Sequence, residues 1–331
     1  MNEKSVLRIG IVGAGGIAQA YSQAFEQLGD AVRLVAVADT DASRAEAMAS
    51  IHGAAAFSNH RQLLAETDLD GVIICTPPIS HPEHCVDFLR AGVHTLCEKP
   101  VALNSAIAKS IVDVATETGT LFTMASKFRF VPDVIRAKEI IDEGGLGEIV
   151  LYENVFASFV DMSKRWNSDP SVSGGGVLID NGTHSLDIMQ YLLGPVTEIR
   201  VIEGKRIQPL EVEDTVNVFA RTADGVIGSI DLSWSLSKQT PFFISVYGTL
   251  GTLQVGWRES QFKLQGESEW TRFGNGYNKI QAFVNQILNF AKAIRGEESL
   301  IVNADEALAS VAAVDTAYAS LAAEEWTPVG N

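Results

Sequence analysis

The opening forty residues constrain the fold more tightly than any other stretch. Leu7-Arg8-Ile9-Gly10-Ile11-Val12 reads as a short apolar strand, Gly13-Ala14-Gly15-Gly16-Ile17-Ala18 follows at once, and an Ala/Gln-rich helical stretch runs to Leu28. In this strand, glycine turn and helix, Gly13 permits the tight turn and Gly15 lets backbone approach a pyrophosphate. Ala18 keeps the helix close to the sheet, and Gly16 and Ile17 stand at the helix start, whose free N–H groups suit phosphate. A second strand, Val32–Ala38, ends in Asp39, about 20 residues past the fingerprint, where a ribose-binding carboxylate belongs. Gly13, Gly15, Gly16, Ile17, Ala18 and Asp39 are therefore read as a dinucleotide site. A carboxylate facing a 2′-phosphate at about 4 Å is repelled by roughly 4 kcal/mol at an effective dielectric near 20, which favours NAD over NADP. Arg44 is a further candidate on the ribose side, although its plainest reading is an exposed helix-face arginine.

The rest of the first half alternates strands with helices. Asp70–Cys75 is a buried-type strand ending in Thr76-Pro77-Pro78, and His81 to Ala91 is helical. Val93–Cys97 is another strand, followed by Glu98-Lys99-Pro100 and a helix from Asn104 to Thr118, and Leu121–Ala125 closes the series. Strands separated by helical stretches imply a doubly wound parallel sheet whose ligand lies beyond the strand C-termini, which is where Thr76 and Lys99 fall. His81-Pro82-Glu83-His84 resembles a metal cluster but has no third ligand at a recognisable spacing, so no metal is expected. Cys75, Cys85 and Cys97 are an odd number without paired spacing, and neither a disulfide framework nor a zinc site follows.

Beyond residue 126 the pattern changes. After a helix from Pro132 to Glu143, strands dominate: Ile149–Val160, Ile199–Ile207, Asp214–Arg221, Val226–Leu236 and Phe242–Tyr247. In the fourth, Val226, Ile230, Leu232, Trp234 and Leu236 share one side and Ser229, Asp231, Ser233, Ser235 and Ser237 the other, the alternation of a sheet covered on one face. Helices over Lys279–Arg295 and Asn303–Ala323 end the chain. At 331 residues the chain exceeds what one core usually serves, and the expected division is 1–126 for the dinucleotide domain and 127–331 for a substrate-binding α+β domain with an open, mostly antiparallel sheet.

Asp180 and His184 lie behind Gly174-Gly175-Gly176, four residues apart. On a helix that spacing puts both on one face, where a carboxylate can orient an imidazole for acid/base work. Asp187 continues that face. Lys127-Phe128-Arg129-Phe130 supplies two cations after the last strand of the first half, and Arg165-Trp166 precedes the glycine run. Lys127, Arg129 and Trp166 suit a sugar ring, a uronate carboxylate or a nucleotide-sugar phosphate; the plainer reading is that Arg129 ties the domains together and Trp166 packs. A net charge of −16 argues against nucleic acid or an anionic membrane as partner. No run approaches the roughly 18 apolar residues of a membrane span, and a soluble, cytoplasmic protein is expected.

Taken together, Gly13–Ala18, Thr76-Pro77-Pro78-Ile79-Ser80-His81, Glu98-Lys99-Pro100 and Asp180-Asn181-Gly182-Thr183-His184 resemble, in order, the motifs of the Gfo/Idh/MocA oxidoreductases. Asn181 departs from the apolar residue many relatives carry. The resemblance implies an N-terminal Rossmann domain and a C-terminal open-sheet domain, with substrate held over the nicotinamide. It also implies Lys99 and His184 as the catalytic pair and Asp180 contacting substrate or orienting His184. Thr76, Pro77, His81, Glu98 and Lys99 are expected on the cofactor side and Lys99, Lys127, Arg129, Trp166, Asp180 and His184 on the substrate side. A cis bond before Pro100 is common in the family. The activity implied is hydride transfer between NAD and a carbinol or keto carbon of a sugar, sugar derivative or cyclitol, by a homodimer or homotetramer joined through the sheet. An NAD-using glycosidase and a non-catalytic dinucleotide-binding regulator are the alternatives; Lys99, Asp180 and His184 together argue against the regulator, which needs no proton relay.

Overall fold

The computed structural model describes residues 6–330, which form two compact units: the chain up to Lys127 with Lys279–Leu308, and Phe128–Asn278 with the chain from Ala309 onward.

In the first unit the order is β1 (Leu7–Val12), α1 (Gly16–Phe25), β2 (Val32–Ala38), α2 (Ala42–His52), β3 (Ala55–Phe57), α3 (His60–Glu66), β4 (Gly71–Ile74), α4 (His81–Arg90), β5 (His94–Cys97), α5 (Ser105–Thr118) and β6 (Phe122–Met124). The strands pair in parallel in the order β3-β2-β1-β4-β5-β6. The chain winds outward from β1, then returns to lay β4 against its other side, so the switch point lies between the ends of β1 and β4. Polar side chains start α3 and α5: Asn59 and Asn104 accept the N–H of Gln62 and Ile107.

The expected division gave everything after residue 126 to the second domain. The helix Lys279–Ile294 instead belongs with the first unit. Its Phe283, Ile287, Phe290 and Ala291 recur every three or four residues and are buried in one core with Ile9, Ile11, Tyr21 and Ala24, Phe283 meeting Tyr21 edge-on at 4.5 Å. An amphipathic helix goes where its apolar stripe is covered, and here α1 covers it.

The second unit holds α6 (Pro132–Asp142), β7 (Ile149–Ala157), α7 (Pro170–Ser173), α8 (Val177–Leu193), β8 (Val196–Glu203), β9 (Thr215–Thr222), β10 (Ile227–Ser233), β11 (Phe242–Gly248), β12 (Gly251–Gly256), β13 (Ser260–Leu264) and β14 (Thr271–Phe273). With α9 being Lys279–Ile294, α10 (Ala304–Ala323) and β15 (Thr327–Pro328) end the chain. The nine-stranded sheet runs β14-β13-β12-β11-β7-β10-β9-β8-β15 and is antiparallel apart from the β7–β10 pair. Ile230 and Leu232 of β10 are buried on the face that α8 covers, while Ser229 and Asp231 are half-exposed on the other.

Several strands stop short of their expected ends. The chain beyond β7 and β10 keeps irregular pairing, Ser158 and Val160 donating to the carbonyls of Ser233 and Trp234. Leu236, expected inside, is 48% exposed. β8 ends at Glu203 because the Asp214 carboxylate, accepting from the N–H groups of Ile207 and Gln208, turns the chain.

Helix α8 starts at an unusually close approach. Its first amides are capped by the buried Glu213, whose Oε1 accepts from the N–H groups of Gly176 and Leu178 at 2.9 and 3.0 Å and from the Tyr318 hydroxyl at 2.8 Å. A Cβ on Gly176 would lie 2.0 Å from the Glu213 carbonyl oxygen, and one on Gly175 would lie 1.9 Å from the Tyr318 hydroxyl. The glycine run is therefore a packing requirement of this helix start. Gly176→Ala should destabilise the fold by about 1–3 kcal/mol through overpacking, read as a lowered urea midpoint. Gly145→Ala, where a Cβ would meet its nearest neighbour at an ordinary 3.5 Å, should leave the midpoint near wild type.

Candidate active site

In the first unit the parallel strands bring their C-terminal ends, and the residues that follow, to one edge of the sheet. Gly13, at φ +92°, has no room for a Cβ, which would lie 2.9 Å from the Cys75 backbone. Around Gly15 and Gly16, by contrast, a Cβ would meet nothing within 4 Å. The α1 N-terminus thus opens onto free space beside exposed backbone, the cradle a pyrophosphate needs. Ile17 is half-buried on this first turn and Ala18 fully buried beneath it. Asp39, half-buried after β2, accepts from the Ala14 N–H at 2.6 Å and the Asp41 N–H at 2.8 Å. Its carboxylate is thereby fixed against the glycine turn. Arg44 points elsewhere, pairing with Asp41 at 3.1 Å on the surface.

After β4 and β5 the two loops are tied together by His81. Expected beside the dinucleotide, it is instead wholly buried, with Nε2 2.7 Å from the Thr76 carbonyl and Nδ1 2.8 Å from the Pro100 carbonyl. Burial pulls its pKa down to about 4, so at neutral pH the ring carries one proton and donates to one carbonyl at a time. The Lys99–Pro100 bond is cis. Half-buried Thr76 accepts from the Ser80 hydroxyl at 2.9 Å and stands 3.2 Å from His84 Nδ1, and Pro77 follows it. Glu83 gathers with His60 and Asp87 and not with its neighbours His81 and His84; Arg61 bonds both carboxylates, and His60 bonds Asp87 at 2.9 Å.

Lys99 is half-buried just past β5, next to the buried Glu98. Burial pushes the Glu98 carboxyl above its ordinary value, and the charges of Lys99 and then Lys127 oppose the rise. Two cations from the ends of β5 and β6 therefore converge on one carboxylate, an association that 28 intervening residues hide in the sequence.

In the second unit, α8 carries its chemistry on one stripe: Asp180, His184, Asp187 and Tyr191. Asp180 is half-buried and His184 is 7% exposed. Arg129 lies beneath this stripe, 2% exposed, its Nε and Nη2 donating to Asp187 at 3.0 and 2.7 Å and its guanidinium 5.1 Å above the Tyr191 ring. Arg129, expected to meet substrate, is thus engaged in a buried two-pronged ion pair, because Asp187 can be buried only with such a partner. Asn181 donates to the Phe156 carbonyl at 3.4 Å, anchoring α8 to the end of β7. Gly182 lets the helix lie close on Leu232 of β10.

The His184 ring meets Phe128 edge-on at 5.1 Å. Phe128 in turn stacks on Phe156 at 4.9 Å and on Tyr277 at 5.1 Å, and Trp257 stands 5.7 Å from Tyr277. This row runs from a buried imidazole to a Trp257 that is 39% exposed. Its members lie between residues 128 and 277, so no local pattern marks them. Trp166, in a short 3₁₀ turn, is 45% exposed; its loop is pinned by Gln208, which accepts from the Met162 N–H and donates to the Val160 carbonyl, both at 3.0 Å.

Comparison with known proteins agrees with both halves. Residues 7–126 match a family model described as an oxidoreductase family with an NAD-binding Rossmann fold, and residues 134–254 match the GFO/IDH/MocA C-terminal domain. Inositol 2-dehydrogenase of Rhizobium meliloti is 29% identical over 96% of this chain and 97% of that protein. Trans-1,2-dihydrobenzene-1,2-diol dehydrogenase of Bos taurus is 30% identical over 79% of this chain and 78% of that protein. The fold is shared with levoglucosan dehydrogenase in complex with NADH, at a TM-score of 0.92 and 22% identity, covering 99% of this chain and all of that one. This chain belongs to the Gfo/Idh/MocA family of oxidoreductases.

Proposed function

We propose that the protein is an NAD-dependent dehydrogenase or reductase of a sugar, sugar derivative or cyclitol. The observation that carries this reading is the α8 stripe, which sets Asp180 and His184 one turn apart beside a row of aromatic rings. Relatives named for inositol and for levoglucosan oxidation support it. Bound at the glycine turn, the oxidised nicotinamide supplies the hydride acceptor. A carbinol carbon gives up hydride only as its hydroxyl proton departs, so a positioned base is needed, and a nearby cation stabilises the developing alkoxide. His184 is assigned the proton transfer, Asp180 its orientation or contact with substrate, and Lys99 the alkoxide. The aromatic row offers an apolar wall to the C–H face of a ring. Lys127 and Trp166 are assigned to outer hydroxyl or acidic groups of the substrate. Absorbance of NADH, followed in both directions across inositols, hexoses, uronates and nucleotide sugars, tests the reading; no turnover on any of them would overturn it.

Replacing His184 or Lys99 with Ala should lower turnover by roughly 10²- to 10⁴-fold, the range for losing a positioned acid/base group. Binding of NADH, followed by its fluorescence, should survive in both variants. Near-normal turnover in His184→Ala would move the proton relay elsewhere.

Asp39, held against the glycine turn, is assigned to the ribose hydroxyls, and NAD(H) should bind at least about tenfold more tightly than NADP(H), a difference of roughly 1.4 kcal/mol. Calorimetric titration with both cofactors decides this, and equal affinities would remove Asp39 from the selection.

The face of the large sheet away from α8 carries Leu151 and Ile227 as neighbours across β7 and β10, 46% and 41% exposed, among Glu153, Ser229 and Asp231. We assign this face to a second copy of the chain, giving a homodimer or homotetramer with a rather polar interface. Light scattering at micromolar protein should report a multiple of 35.6 kDa; the mass of one chain alone would refute it.

A further inference from the structure

Glu98, the carboxylate beside Lys99, is held by two residues that no motif marks. Tyr21 of α1, wholly buried, donates its hydroxyl proton to Glu98 Oε1 at 2.9 Å. Gln286 of α9, also buried, donates from Nε2 to the Tyr21 hydroxyl oxygen at 2.8 Å. The other Glu98 oxygen accepts from the Lys99 backbone N–H at 3.3 Å. A donor chain thus runs from Gln286 through Tyr21 to Glu98, with the Lys99 amide meeting the same carboxylate from its other side.

The direction of this chain is set by chemistry. An amide nitrogen only donates, so the tyrosine oxygen accepts from Gln286 and its single proton is left for Glu98. Glu98 then receives donors on both oxygens, the arrangement a carboxylate satisfies and a protonated carboxyl, itself a donor, does not. The Gln286 amide keeps this orientation although its Oε1 is buried with no partner among the described residues. The charged and titratable groups around Glu98 divide. Lys99 and Lys127 favour its anion and burial opposes it, while the nearby thiols of Cys75 and Cys97, pushed well up by burial and by Glu98 itself, stay neutral.

We propose that Tyr21 and Gln286 are positioning residues that keep Glu98 ionised and fixed beside Lys99, so that its negative charge holds the lysine in place for the alkoxide. The catalytic part rests on the role assigned to Lys99 above; the charge state of Glu98 does not, and the test separates the two. A carboxyl whose folded pKa is raised favours folding least when ionised, so its contribution to stability falls as pH rises from the ordinary glutamate value through the folded one. Removing the Tyr21 proton raises the folded pKa further. Urea unfolding of Tyr21→Phe should therefore show a larger loss of midpoint at pH 8 than at pH 5. Gln286→Leu should show a smaller loss with the same sign. In a Glu98→Gln background the pH dependence of the Tyr21→Phe effect should vanish. Equal losses at both pH values, or pH dependence that persists without the carboxylate, would reduce Tyr21 to a packing residue and overturn the proposal. In the active enzyme the acid limb of kcat/KM in Tyr21→Phe should move to higher pH with NADH affinity unchanged. If no polyol is turned over by wild type, the functional reading fails while the unfolding arms still decide this one.

Discussion

The buried carboxylate of Glu213 fixes where α8 begins, and the second unit's chemistry depends on that start. The carboxylate offers one oxygen to two backbone amides and a tyrosine hydroxyl, and its negative charge stands at the positive end of the helix. Burial pushes the Glu213 carboxyl upward while these donors hold it down. An α-helix turns through a fixed angle per residue, so setting the phase at Gly176 sets the direction of Asp180, His184, Asp187 and Tyr191 together. A shift at the cap would rotate all four, which is why the approach is closed to any side chain at Gly176.

The first unit uses another constraint for the same end. Parallel strands deliver their C-termini to one edge whatever the intervening helices do, and the short segments beyond them carry Asp39, Thr76, Glu98 and Lys99. Such segments are loops, free to wander unless tied. Here the ties are specific: Asp39 to the glycine turn, His81 between the Thr76 and Pro100 carbonyls, donating to one of them at a time, and Glu98 to Tyr21. The motif residues divide accordingly into those that line the edge and those, such as His81, that hold it in shape from behind.

What could be read from the chain was what is local. The glycine turn with its flanking strands and the i, i+4 relation of Asp180 and His184 each span a few residues, and periodicity or spacing exposes them. The alternation in β10 likewise revealed a sheet covered on one face. The pairing of Arg129 with Asp187 across 58 positions was not legible, although each residue was visible on its own and only the fold gave them to each other. Glu213, Tyr318, Tyr21 and Gln286 left no signal, being ordinary residues made significant by where distant segments meet. The short strands β12, β13 and β14 were missed because glycines bound the first and polar residues fill the others, so neither shows a sustained period. Helix α9 was recognised as a helix, but its partner, α1, lies more than 250 positions away.

The Arg129–Asp187 pair has a consequence for how this helix responds to its surroundings. Both side chains are 2% exposed, so mobile ions reach neither, and the two charges cancel beneath the same stripe that carries His184. Screening by salt acts on exposed charges and hardly at all on such a sealed pair. The attraction within the pair is therefore set by the interior and insulated from ionic strength, whereas the exposed carboxylates behind the chain's net −16 charge lie where salt does screen them. Salt then governs how charged molecules approach this protein, and leaves the pairing beneath α8 to the fold.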